Sequence, residues 1–304
     1  MKFVLGRTAR LAVVAVALGA TVGSASHTAR AAGGLGGYDL QARAPALELV
    51  LDSDALPVPA HPAVDATIPE TTSTLQSGPL GHGMASLLWP GDLGGHFGTA
   101  LQQLGQLCTS MVPIALPNLP TQCTPVPQAL EDNAGAFNDP VKAETFLPGG
   151  PVEAEYTFTP PIPGVTMKSH AEGTTVDSLA GFASFGAPGV GTLGSVTSHS
   201  VAKLDNATAV SQATSEVFGV ALVGGLVTID HVASTAKETT DGQKAVGTGR
   251  TVISGLRIGG VPATVDSSGL QIGPLSAVAN QALKSLGLEI QVTAPAILND
   301  GAKG

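Results

Sequence analysis

Between Ala207 and Leu222 the side chains alternate in size without a break. Thr208, Val210, Gln212, Thr214, Glu216, Phe218, Val220 and Leu222 carry the larger groups. The intervening Ala207, Ala209, Ser211, Ala213, Ser215, Val217, Gly219 and Ala221 are almost wholly small. A period of two belongs to an extended strand, whose successive side chains point to opposite faces. A long strand with one face of Ala, Ser and Gly sets a condition on the fold. Whatever covers that face either comes very close to it or encloses a space beside it.

The flanking residues repeat the pattern. Leu193–Leu204, Ala207–Leu222, Leu226–Lys237 and Lys244–Ile258 read as long strands, rich in Val, Thr, Ser, Ala and Gly. Asp205-Asn206 and Asp241-Gly242 are turn dipeptides between them, and Gly224-Gly225 breaks the middle. Ser200–Lys203 recurs as Ser234–Lys237, and Phe218–Gly225 (FGVALVGG) recurs as Ile253–Gly260 (ISGLRIGG). Two hairpin-like repeats, at about 196–225 and 229–260, predict an antiparallel meander. Leu275, Val278, Ala279, Ala282 and Leu286 fall at helical spacings between Pro274 and Gly287. A final strand is expected over Leu288–Val292. The expected fold is mainly β, a curved antiparallel sheet or sandwich with one C-terminal helix packed on it.

The first half reads differently. Residues 32–80 form a Pro/Gly-rich stretch, with Pro57, Pro59, Pro62 and Pro69 close together, and are expected to be flexible or irregular. Leu47–Leu51 is one short apolar run in it that suits a strand. Within 81–148, Phe97, Leu101, Leu104 and Leu107 predict a short amphipathic helix, followed by a Pro-rich loop. Cys108 and Cys123 flank that loop and are the chain's 2 cysteines. In an exported chain they are expected to form a disulfide, which contributes about 3 kcal/mol in a loop this short. A redox or metal pair would need a CxxC or neighbouring histidines, and neither is there. Residues 149–304 are read as the β domain.

The N-terminus predicts export. Lys2, Arg7 and Arg10 precede an apolar stretch over Leu11–Gly23, too short to span about 30 Å of hydrocarbon. Small-x-small triplets follow at Ser24–Ser26 and Ala29–Ala31. A signal peptide over 1–31 is expected, cut between Ala31 and Ala32, with Ser26 as the alternative. Its removal takes four basic residues and no acid, so the formal charge goes from −9 to −13. An acidic chain with only 12 % charged residues is a poor partner for nucleic acid. No apolar tail or sorting motif is seen at the C-terminus, so the product is expected to be released, secreted or wall-associated, with no stable membrane span after cleavage.

Motifs for chemistry are sparse. Gly189-x-Gly191-x-x-Gly194 matches a dinucleotide fingerprint, but the following residues are strand-like, and a phosphate site there needs a helix N-terminus. The GxSxG elbow of hydrolases is absent from the sequence. His82, Asp92 and His96 lie near Trp89 and are the one constellation that can hold a divalent metal, although the spacing matches no standard site and a surface loop is the simpler reading. Glu153 and Glu155 share one face of a strand, as acid–base partners or as a solvated edge. Asn206-Ala207-Thr208 is a glycosylation sequon. No catalytic, cofactor-binding or metal-binding residue is assigned, and no cofactor is expected.

The Ala/Val-rich leader, the Pro/Gly-rich stretch and the β pairs ending in FGVALVGG and ISGLRIGGVPATVDSSGLQIG resemble uncharacterised secreted actinobacterial proteins of the choice-of-anchor kind, over about residues 190–273. The resemblance implies an extracellular or surface role and brings no catalytic residues; the anchor of such proteins is not found in this sequence. The first expectation is a non-enzymatic binding or structural protein with an extracellular or cell-envelope partner. The second is a carrier of an apolar ligand such as a lipid, held between a curved sheet and a helix. The third is a metal-dependent or hydrolytic enzyme using the His82–His96 region. Mass spectrometry of the unreduced secreted protein is expected to give a chain starting at Ala32 and lighter by two hydrogens, whereas an unprocessed mass would remove the leader assignment.

Overall fold

A computed structural model of the protein describes residues 21–24, 35, 37–51, 64–89, 141–159, 161–187, 191–266, 269–271 and 281. They form two antiparallel sheets and a small hairpin, with no closed barrel. The smaller sheet holds β1 (Thr21–Ser24), β2 (Asp39–Leu51), β3 (Val64–Gln76), β4 (Leu80–Ser86) and β5 (Lys142–Leu147), in chain order. The larger sheet continues with β6 (Glu153–Glu155), β7 (Thr166–Glu172), β8 (Thr175–Ala187), β9 (Gly191–Asp205), β10 (Thr208–Leu222) and β11 (Val227–Thr240). Both β12 (Ala245–Ser254) and β13 (Arg257–Ile258) pair with β11, and β14 (Val261–Pro262) pairs with β13. The remaining hairpin is β15 (Thr264–Asp266) with β16 (Gly269–Gln271).

The sheets lie face to face in matching order. β2 covers β9 and β10, β3 covers β8 and β9, β4 covers β7 and β8, and β5 covers β6 and β7. The larger sheet extends past β2 at β11 and β12. The four long strands expected between Leu193 and Ile258 correspond to β9–β12, with turns at Asn206 and Gly242, both in the left-handed region.

One expectation changes first. Much of the stretch over 32–80 is not irregular: β2 and β3 are central to the smaller sheet, and β4 begins at Leu80. Prolines do not prevent this, because Pro45 and Pro69 sit inside the ladder of β2 and β3 with their carbonyls taken by the opposite layer. Ser215 Oγ donates to the Pro45 carbonyl at 2.8 Å, and Ser198 Oγ to the Pro69 carbonyl at 2.9 Å. Those serines are cross-strand partners in the larger sheet. The C-terminal helix is not shown: 274–286 lies outside the described residues except for Gln281. The helix over 97–107 and both cysteines also lie outside them.

The uninterrupted alternation read for Ala207–Leu222 also needs correction. Ala209, Ser211, Ala213, Ser215 and Val217 are buried, so the small face is the core face. Beyond Gly219 the buried positions become Val220 and Leu222. The same inversion runs across the sheet, from Val196 to Leu193 on β9, from Val232 to Ile229 on β11, and from Ile253 to Leu256 after β12. Ser184, Gly194, Gly219, Asp230 and Gly255 mark this row, and Ser184, Gly219 and Gly255 have φ of 60°, 63° and 66°. A left-handed residue turns the following side chains over, and directly paired residues share a face, so neighbouring strands invert together.

An apolar cluster spans this crease, built from Ala46, Leu47, Phe182, Val196, Val217, Val220, Leu222, Val227, Ile229 and Val232. Farther along the strands the layers meet through small groups. The row Ser73–Gly83–Thr145 of the smaller sheet faces the row Ser169–Ser178–Ser200 of the larger. Thr145 Oγ1 lies 2.7 Å from Ser169 Oγ, which lies 3.0 Å from Ser178 Oγ. Ser73 Oγ lies 2.9 Å from Ser200 Oγ and donates to the Ser200 carbonyl at 3.0 Å. The hydroxyls thereby satisfy one another where water cannot reach.

Gly83 completes the seam by having no side chain. A Cβ there would meet Ser169 Oγ in overlap and lie 2.9 Å from Ser178 Oγ and Thr145 Oγ1. On urea denaturation Gly83→Ala is expected to lose about 1–3 kcal/mol, the usual range for overpacking. Gly186→Ala, whose Cβ would meet only Thr192 Cγ2 at 3.6 Å, serves as the near-neutral control.

Candidate functional site

The residues singled out in sequence are dispersed. Of His82, Asp92 and His96, only His82 is described, and it has other partners. Its Nε2 lies 2.8 Å from Glu144 Oε1 across the β4–β5 pair, and its ring stacks on Phe146 at 4.8 Å. Lys142 Nζ lies 2.8 Å from the other Glu144 oxygen. Burial alone would raise the Glu144 carboxyl, but hydrogen bonds from Lys142 and His82 outweigh it and hold the group below the usual carboxylate range. Among the described residues, no three His, Cys, Asp or Glu side chains are grouped to hold a metal ion.

Glu153 and Glu155 are exposed on β6. Glu155 lies 3.3 Å from Lys168 Nζ, and Glu153 lies 3.6 Å from His170 Nδ1. They belong to a solvated ionic edge. Gly191 and Gly194 lie within β9, so a strand follows the Gly-rich run where a phosphate site would require a helix. Asn206 sits exposed in the β9–β10 turn, its amide donating to Asp205 at 3.2 Å. Ala31, Ala32, Cys108 and Cys123 lie outside the described residues. Among the described residues no helix is long and apolar enough to cross a membrane.

Two features of the larger sheet's outer face were not read from the sequence. On β9 His199 Nε2 lies 3.0 Å from Asp177 Oδ2 on β8. On β10 Phe218 stacks flat on His231 of β11, with ring centroids 4.1 Å apart and planes inclined by 8°. Alternation marks all of these as outer-face residues, but only the pairing register makes them neighbours. The surrounding face presents Gln212, Thr214, Thr235 and Thr248, with Leu179, Phe218 and Val252 exposed among them. It is a broad polar surface with a few apolar contact points.

A third feature lies at the edge of the smaller sheet. β1 pairs with Leu40–Arg43 of β2 and lies against β10 and β11. Beside it is a recess lined by Leu40, Ala209, Ser211, Glu238 and Thr240. The buried Ser211 Oγ has no hydrogen-bond partner there, and neither does the buried Asp39 Oδ1 at the start of β2.

Comparison with protein-family models, curated proteins and solved structures gave no match to this chain.

The hydrogen bond to Asp177 raises the His199 imidazole above its ordinary value of 6.5, partly offset by burial. Because the folded-state value is the higher one, the pair's contribution to stability is complete below pH 6.5 and is lost as pH rises through the folded value. In an NMR titration His199 is expected to have its midpoint above 6.5, and Asp177→Asn is expected to lower it.

Proposed function

We propose that this chain is an exported, non-enzymatic binding or structural protein of the extracellular space or cell envelope, and that it works through its surfaces. The close seating of the two layers carries this reading. Ala209, Ala213, Ser215 and Val217 are all buried under the smaller sheet, so the small face serves layer packing. This weighs against the apolar-carrier expectation, which used the same face to line a chamber. The pairing of His82 with Glu144 gives its imidazole a structural task beside the third, enzymatic expectation. The basic leader and the resemblance to secreted actinobacterial proteins support export.

On this reading the outer face of the larger sheet is a contact surface. Phe218 and Leu179, 38 % and 37 % exposed, give it apolar anchor points within hydrogen-bonding Thr and Gln. Sedimentation of the secreted protein with isolated envelope of its own host is the direct test. The wild type is expected to co-sediment, and Phe218→Thr with Leu179→Thr is expected to weaken this about tenfold or more while the variant still melts cooperatively as a folded protein. No co-sedimentation, or turnover of a substrate abolished by one polar substitution, would overturn the proposal.

A further inference from the structure

The edge of β2 at Leu40–Arg43 is filled by residues that the leader assignment removes. β1 (Thr21–Ser24) closes this edge by antiparallel pairing, Thr21 opposite Arg43 and Ser24 opposite Leu40. Cleavage after either Ser26 or Ala31 takes those residues away. The exposed row of backbone donors and acceptors on β2 is then a template for another strand. Seven residues, Ala32–Tyr38, remain before β2 in the chain cut after Ala31, and Gly33, Gly34, Gly36 and Gly37 dominate them. Glycine is a poor strand former, so the shortened N-terminus is a weak replacement for β1.

We infer that the β2 edge, together with the facing side of β10 and β11, is a strand-acceptor slot. In the mature protein it takes a single extended segment of small and β-branched residues from a partner polypeptide. This rests on the export reading, since only a removed leader leaves the slot empty. Two observations define the slot and its occupant. First, Thr-Val-Gly-Ser already pairs along it, which gives the direction and length of strand that fit. Second, β11 and β12 project past β2 in the opposite layer. A folded second copy approaching edge to edge would carry its own second layer into that space, whereas a lone strand would not.

The seat is also held rigid. Arg43 Nε and Nη2 donate to the two oxygens of the buried Glu70 at 2.7 and 2.9 Å, and Thr67 Oγ1 donates to the same carboxylate. Just beyond, the Pro45 carbonyl is fixed by Ser215. Pro45 lacks an N–H, which suits a slot about as short as β1. A preformed edge costs little ordering on binding and reads a partner mainly through main-chain hydrogen bonds.

A labelled peptide corresponding to residues 19–26 is the probe, titrated by fluorescence anisotropy into the secreted mature protein. Saturable binding is expected. A peptide with proline at both Val22 and Gly23 is expected to bind about tenfold more weakly or less, because adjacent residues send their N–H groups to opposite sides and one of the two must face β2. The full chain from Met1 is expected to bind the peptide weakly, its slot being occupied, and Val22→Pro with Gly23→Pro in that chain is expected to restore binding. This last variant retains the test if the shortened chain does not fold. No binding by folded mature protein and by the opened full chain, or equal binding of the proline peptide, would overturn the slot. A mature dimer that the peptide dissociates would overturn the partner and make the occupant a second copy. A secreted mass still containing residues 1–31 would instead show that the export reading had failed, whatever the peptide does.

Discussion

The structure depends on how closely its two sheets approach along the seam of small residues. Ser73, Gly83 and Thr145 on one layer face Ser169, Ser178 and Ser200 on the other. Burial of so many hydroxyls is favourable only because they bond to one another or to carbonyls across the interface. Hydroxyl bonds have directions, which purely apolar contacts lack. The seam therefore fixes which rows of the two sheets oppose each other, and Ser198 and Ser215 extend that alignment to the proline carbonyls of β3 and β2. The left-handed row at Ser184, Gly219 and Gly255 then turns the sheet's faces over, so that larger aliphatic side chains fill the core beyond it.

That organisation places the candidate surfaces. With small side chains consumed inward, larger and polar ones are displayed outward on β8–β12, where register brings His199 to Asp177 and Phe218 to His231. Unequal widths of the two sheets have a separate consequence. Because the larger extends past β2, β1 at the end of the smaller sheet is seated over β10 and β11. If the leader is removed as proposed, that overhang restricts what can pair with β2 to a single strand and discourages indiscriminate aggregation.

Strand positions in the second half were legible because Thr, Val and Ala alternate there and Asp-Asn or Asp-Gly marks the turns. β2 and β3 were harder to see. Their prolines and the residues around them resemble loop chemistry, and the serine side chains that accommodate them come from more than 100 residues away in sequence. His82 illustrates the same limit at a candidate site. Its sequence neighbours Asp92 and His96 suggested a metal, while its partner Glu144 lies on another strand 62 residues later.

Mainly β character, long antiparallel hairpins and one small and one large face on β10 could all be read along the chain. Those follow from local side-chain period and turn chemistry, which act over a few residues. Long-range pairing set the rest: the small face packs against a second sheet, alternation inverts at Gly219, and β1 lies along the edge of β2. Each of these depends on strand partners and opposing layers, and a local pattern permits either outcome until the long-range register selects one.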